Sequence, residues 1–96
     1  MNDIKITFEA NKNRSAAYDA ENLIGVCTYQ SGAGNWIINH TEVAIQYTGQ
    51  GLARKLLQTV IEHARTANVK IIPECSYAAK IMIGKPEYAD VLKTNE

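Results

Sequence analysis

The sequence predicts an α/β fold of the α+β kind. It has a mixed, mostly antiparallel sheet, one long helix after the fourth strand, and a short C-terminal helix. Two observations predict it. Strand-like stretches separated by turn signals fill the first 45 residues, and from Leu52 the apolar spacing changes to that of a helix. A short strand-like run and a second helical stretch follow. The order strands, helix, strand, helix is that of a sheet with the long helix packed on one face.

In chain order, Ile4 to Glu9 alternates Ile4, Ile6 and Phe8 with Lys5, Thr7 and Glu9, the period of a half-buried strand. Asn11-Lys12-Asn13 reads as a turn, and Arg14 to Asp19 as a second strand returning in a hairpin. Leu23 to Gln30 is rich in β-formers (Ile24, Val26, Thr28, Tyr29) and forms a third. Ser31 to Asn35 is a turn, and Trp36 to Ile45 a fourth strand, with Trp36 expected to anchor the sheet edge. Leu52, Ala53, Leu56, Leu57, Val60, Ile61, Ala64 and Ala67 then line one face of an amphipathic helix that Asn68 stops. Val69 to Pro73 is a short strand ending at its proline. Ser76 caps a helix to about Ile83, Gly84-Lys85-Pro86 breaks it, and a final helical turn lies near Glu87 to Leu92.

A chain of 96 residues fits a single domain, residues 1–96, with a modest core. Ten basic residues balance ten acidic ones, so no positive field is available to draw nucleic acid or an anionic membrane. The start lacks an apolar signal core and no apolar run reaches membrane-spanning length, so a cytoplasmic setting is expected. Cys27 and Cys75 are then free thiols. No ligand cluster has metal spacing, and no metal site is expected.

The segment Gln46-Tyr47-Thr48-Gly49-Gln50-Gly51 carries the chemistry. It precedes a helix N-terminus, where N–H groups without intrahelical partners and the positive end of the macrodipole favour an anion. Gly49 and Gly51 let a phosphate approach the backbone, and Arg54 and Lys55 in the first helical turn can add charge-assisted bonds. On the glycines alone a plain tight loop is the better explanation of the segment. A P-loop needs Gly-Lys-Ser/Thr where Gly51-Leu52-Ala53 stands. The dinucleotide fingerprint needs a third glycine where Arg54 stands. Glu74 falls near the place of its ribose-binding acid, but the 22 residues beyond cannot complete that fold.

The same residues resemble motif A of the GNAT superfamily of N-acetyltransferases, Gln/Arg-x-x-Gly-x-Gly/Ala, through Gln46, Gly49 and Gly51. The strand Asn39 to Ile45 before them and the helix after them match that family's order of elements. Most of the chain is similar to its small single-domain members, the YjdJ-type group, through His40-Thr41-Glu42-Val43, Gly49-Gln50-Gly51 and Pro73-Glu74-Cys75-Ser76-Tyr77. The resemblance implies a minimal GNAT-like fold whose sheet splays around acetyl-CoA. The pantetheine arm would pair with the backbone of Val43, Ala44 and Ile45, and coenzyme A would be held by Gln46, Tyr47, Thr48, Gly49, Gln50, Gly51, Leu52, Ala53, Arg54 and Lys55. Larger members carry helices between the first two strands. Here only Ala10 to Asp19 are available, so the acceptor side should be open.

Cys75, just beyond the strand flanking the cofactor, can accept acetyl once a neighbour activates it, and the family-like pairing puts His40 forward as that neighbour. Glu42 as general base and Tyr77 as proton donor to the leaving thiolate form a second route. The plainer readings are a buried cysteine, a hydrogen-bonded sheet histidine, a solvated Glu42 and a packed Tyr77. His63 is expected to be solvated and Cys27 to belong to the core. The implied activity is acetyl-CoA-dependent transfer to a small amine or exposed amino group, possible through a Cys75 thioester. The alternatives are a non-catalytic acyl-CoA-binding module (sensor or subunit) and a redox-active thiol protein.

Overall fold

The computed structural model describes residues 3–93. The strands are β1 (Ile4–Glu9), β2 (Arg14–Asp19), β3 (Asn22–Gly32), β4 (Asn35–Val43) and β5 (Lys70–Pro73); the helices are α1 (Leu52–Ala67) and α2 (Ser76–Met82). The five strands form one sheet in sequence order. The first four are antiparallel neighbours, and β5 lies parallel to β4. A parallel pair needs a long crossover, and α1 supplies it.

Strand alternation separates two faces. Ile4, Ile6 and Phe8 pair with Asp19, Ala17 and Ser15, and the row continues through Cys27 to Thr41. This is the helix face: the buried Ser15 hydroxyl donates to the Leu56 carbonyl at 2.7 Å and ties β2 to α1. Leu52, Leu56, Leu57, Val60, Ile61 and Ala64 of α1 pack there against Ile38, Tyr29 and Ile71. Each fully buried leucine, isoleucine or valine among them contributes about 1.5–3 kcal/mol by leaving water. The opposite face carries the cross-strand rows Thr7, Ala16, Val26, Glu42 and Glu9, Arg14, Thr28, His40. Among the described residues, no helix is long and apolar enough to cross a membrane.

Several expectations are met and others corrected. Asn68 takes left-handed backbone (φ 61°) and closes α1, with Val69 N–H donating to Ala64 O. Between β1 and β2 there is only a 3₁₀ turn, Ala10–Lys12, so no helix enters there. The fourth strand stops at Val43, not Ile45. Ala44 N–H donates back to Ile24 O, and Tyr47 N–H and Thr48 N–H then close a 3₁₀ turn onto Ala44 and Ile45. Cys75, not Ser76, stands at the cap position of α2, and its side chain makes no capping bond. The final turn is Pro86–Tyr88. Residues 91–93 instead pair with the outer edge of β5, where Ile71 N–H donates to Val91 O and Lys93 N–H to Ile71 O. Backbone groups on a strand edge need partners, and the tail supplies them.

Trp36 anchors an aromatic stack rather than a sheet edge, since β4 is interior. Its ring lies 4.2 Å from Tyr29 and 5.9 Å from Phe8. His63 completes the stack at 3.9 Å from Phe8, so one ring face is covered although the residue is exposed overall. Helical spacing assigned His63 to the polar side; the stack lies at that boundary.

On the opposite face, Glu9 accepts from Tyr18 Oη at 2.5 Å and from Arg14 Nε at 2.7 Å. The Tyr18 bond, then the Arg14 bond, holds the Glu9 carboxyl below its usual 4.5. A depressed carboxyl contributes stability that is complete above the unfolded value and is lost as pH falls through the folded value. Glu9→Gln should therefore lower stability at neutral pH and flatten its decline below pH 4.5, measured by urea unfolding across that window. An unchanged acid slope would show the bond to be energetically idle.

Candidate active site

The site begins where β5 leaves β4. Their pairing covers only Asn35–Ile38 of β4, and Glu74 and Cys75 N–H then both donate to the Ile38 carbonyl (3.0 and 2.9 Å) as the chain turns into α2. Residues 39–43 of β4 thus have no strand partner on that side, which leaves a wedge bounded by β4 and by Glu74 to Tyr77. An extended ligand can pair with such an edge. Because the Ala44 amide and carbonyl are already bonded, the edge ends at Val43; Ala44 and the exposed Ile45 lie outside it.

The glycine turn closes the mouth of the wedge. Gly49 (φ 85°) and Gly51 (φ 77°) are both left-handed, a conformation that side-chain-bearing residues adopt at a cost. Gly51 is the cap residue of α1 and offers no side-chain oxygen; the first helical bond runs from Lys55 N–H to Gly51 O. The N–H groups of Leu52, Ala53 and Arg54 precede that bond and have no intrahelical acceptor. A recess of ≈ 140 Å³ lies there, walled by the turn, the start of α1, Val43 and Tyr77. Left-handed glycines, an uncapped helix end, Arg54 and an unpaired strand edge fit a pyrophosphate with a pantetheine-like arm. Gln46, Gln50 and Lys55 are exposed beside it. Tyr47 lines the recess too, and its hydroxyl donates to the Asp19 carboxylate, which tethers the turn to the end of β2. Asp19, 28 residues away, carries no motif that would have singled it out.

Cys75 is half-buried, and its thiol donates to Thr41 Oγ1 at 3.7 Å; that hydroxyl donates to Cys27 Sγ at 3.5 Å. The sequence pairing of Cys75 with His40 is not what the structure brings together. Thr41 turns to the helix face beside Cys27, so His40 and Glu42 project from the other face, where His40 Nε2 meets Glu42 Oε1 at 3.0 Å. No sequence signal pointed to Thr41: its place opposite Cys27 is fixed by the ladder register. Tyr77 lines the turn recess, and burial pushes its hydroxyl up, with Arg54 opposing, so it holds its proton at neutral pH. Among the described residues, no three His, Cys, Asp or Glu side chains gather as a metal site.

Burial drives the Cys27 thiol up to about 11, whereas Cys75 reaches the surface. Native iodoacetamide labelling at neutral pH should therefore modify Cys75 and spare Cys27, read by peptide mass after quenching. Comparable labelling of both would overturn this account of the thiol pair.

Comparison with known proteins agrees with this geometry. The model of the family described as GCN5-related N-acetyl-transferase matches residues 8–91. No curated protein sequence matches significantly. Among solved structures, a GCN5-like candidate N-acetyltransferase from Staphylococcus aureus is 35% identical and superposes with a TM-score of 0.76, over 100% of this chain and 94% of its own. A GCN5-related N-acetyltransferase from Sphaerobacter thermophilus is 25% identical (TM-score 0.59), over 62% of this chain and 20% of its own. N-acetylglutamate synthase from Neisseria gonorrhoeae, solved with coenzyme A and N-acetyl-glutamate, is 21% identical (TM-score 0.56) over 71% and 18%, a likeness of fold alone. With the family model spanning most of the chain and the Staphylococcus structure its whole length, the chain belongs to the GCN5-related N-acetyltransferase family.

Proposed function

We propose that this chain transfers acetyl from acetyl-CoA to the nitrogen of a small amine or exposed amino group, through an acetyl-thioester on Cys75. The observation that carries the reading is the left-handed Gly49–Gly51 turn, leading into an uncapped helix at the mouth of a wedge whose wall bears the Cys75 thiol. Acetyl-CoA supplies the activated acetyl group. The Leu52, Ala53 and Arg54 amides and the Arg54 guanidinium would hold the pyrophosphate, and the unpaired β4 edge would orient the arm.

Cys75 Sγ attacks the thioester carbonyl: its bond to the acetyl carbon forms, the bond from that carbon to the coenzyme A sulfur breaks, and coenzyme A leaves as a thiol. Tyr77 donates the proton to the departing sulfur, and the proton given up by Cys75 restores the phenol through solvent. The amine then attacks acetyl-Cys75. A C–N bond replaces the C–S bond, and the proton the amine sheds passes through solvent to the Cys75 thiolate, which recovers its thiol. Glu42 serves equally as base for direct attack should Cys75 be bypassed. A cytoplasmic setting, where thiols stay reduced, suits this chemistry.

A non-catalytic acyl-CoA-binding module is the second reading. The bare sheet face beside Glu42 favours it, since no helix enters between β1 and β2 to shape an acceptor pocket. Intact mass after incubation with acetyl-CoA, and thiol release with a panel of amines, separate the two. The enzyme should show an acetyl adduct and amine-dependent thiol. Binding without either selects the module, and absence of binding removes both.

A further inference from the structure

The sheet face opposite α1 contains a second recess, and we infer that it takes the acceptor, which is a primary amine on a small apolar body. This rests on the acetyltransferase reading above. The recess has a volume of ≈ 180 Å³ and is lined by Leu23, Ile24, Gly25, Val26, Glu42 and Ala44. Five of these six walls carry no charge; the sixth is a carboxylate. Leu23 is 46% exposed, an apolar side chain held open to water at the rim.

Glu42 joins this recess to the transfer site. Its backbone belongs to residues 39–43, which border the wedge without a β5 partner, while its side chain lines the recess. An ammonium bonded to Glu42 is therefore held along the β4 border of the wedge, on the face away from Cys75 and open to direct attack on a thioester in the wedge. Its body lies along Leu23, Val26 and Ala44. His40 Nε2, 3.0 Å from Glu42 Oε1, donates to that carboxylate and orients it, and Glu42 is the base that takes the amine's proton.

Charge and size narrow the class. A polyamine needs further carboxylates for its other nitrogens. Along the cross-strand rows of this face the next one, Glu9, is on β1, three strands from β4, and already engaged by Arg14 and Tyr18. An amino sugar would place hydroxyls against the Leu23, Val26 and Ala44 side chains, which offer them no partners. The volume lies below the roughly 300–1,000 Å³ of pockets for drug-sized ligands, so a single ring or short alkyl chain fits and a nucleoside does not.

The test compares phenethylamine, hexylamine, spermidine, glucosamine and a lysine-containing peptide as acceptors, by thiol release from acetyl-CoA. Coenzyme A affinity is measured in parallel by calorimetry. Phenethylamine or hexylamine should have the highest kcat/KM. Leu23→Asp should cut that value at least about tenfold, the scale of a lost apolar contact, with coenzyme A affinity unchanged. Tight coenzyme A binding with spermidine, glucosamine or the peptide preferred would overturn this proposal alone. So would an unaltered Leu23→Asp profile; coenzyme A binding with no acceptor used would select the non-catalytic module and remove the acetyltransferase reading as well. Loss of coenzyme A binding in the unaltered protein would remove the acetyltransferase reading and this inference together.

Discussion

Gly51→Val should bind coenzyme A about a hundredfold more weakly than the unaltered protein, or worse, while remaining folded. The left-handed cap at φ 77° costs an ordinary residue about 1–2 kcal/mol, and more when the side chain is β-branched. The turn will relax away from that conformation and take with it the charge-assisted N–H contacts to phosphate, each worth about 1.5–3 kcal/mol. A Cβ at this position meets nothing in the protein within 4 Å, so steric damage to the fold is not the cause. Calorimetry with coenzyme A gives the affinity, and circular dichroism reports whether α1 persists. A Gly51→Val protein that keeps its affinity would mean the phosphate is bound elsewhere. Gly49→Ala, at φ 85°, should repeat the effect more mildly, because alanine tolerates the left-handed region better than valine.

The second large effect is expected at Cys75. Cys75→Ala should abolish the acetyl adduct and lower amine turnover by about 10²-fold, leaving the slower direct attack assisted by Glu42. The side chain is half-buried and bonded only to Thr41 Oγ1 at 3.7 Å, so its removal should cost little stability. Full turnover in Cys75→Ala would eliminate the thioester step. Glu42→Gln should then carry the loss, again by about 10²-fold. The two variants assign the base and the nucleophile separately because their side chains lie on opposite faces of the sheet.

The division between sequence and structure follows the range of the interactions involved. Local signals were readable. Apolar alternation from Ile4 to Phe8, helical spacing from Leu52 to Ala67, the Asn68 stop and the Gly49-Gln50-Gly51 turn are each set by neighbours within a few residues, and each recurs in the structure. That is why the fold class and the family were legible from the chain. Side-chain partnerships across strands were not. The irregular register between Thr28 and Tyr29, opposite Ile38 and His40, fixes which β4 residues face α1. It turns Thr41 toward Cys75 and His40 toward Glu42, a choice that strand alternation read from sequence cannot make past a bulge. The Tyr47 bond to Asp19 and the recess beside Glu42 likewise join segments distant in the chain. The sequence by itself determined the elements, their order and the left-handed glycine turn before α1. Tertiary packing alone decided where β4 ends, which residue meets Cys75 and where an acceptor can lie, because these depend on register between strands rather than on local propensity.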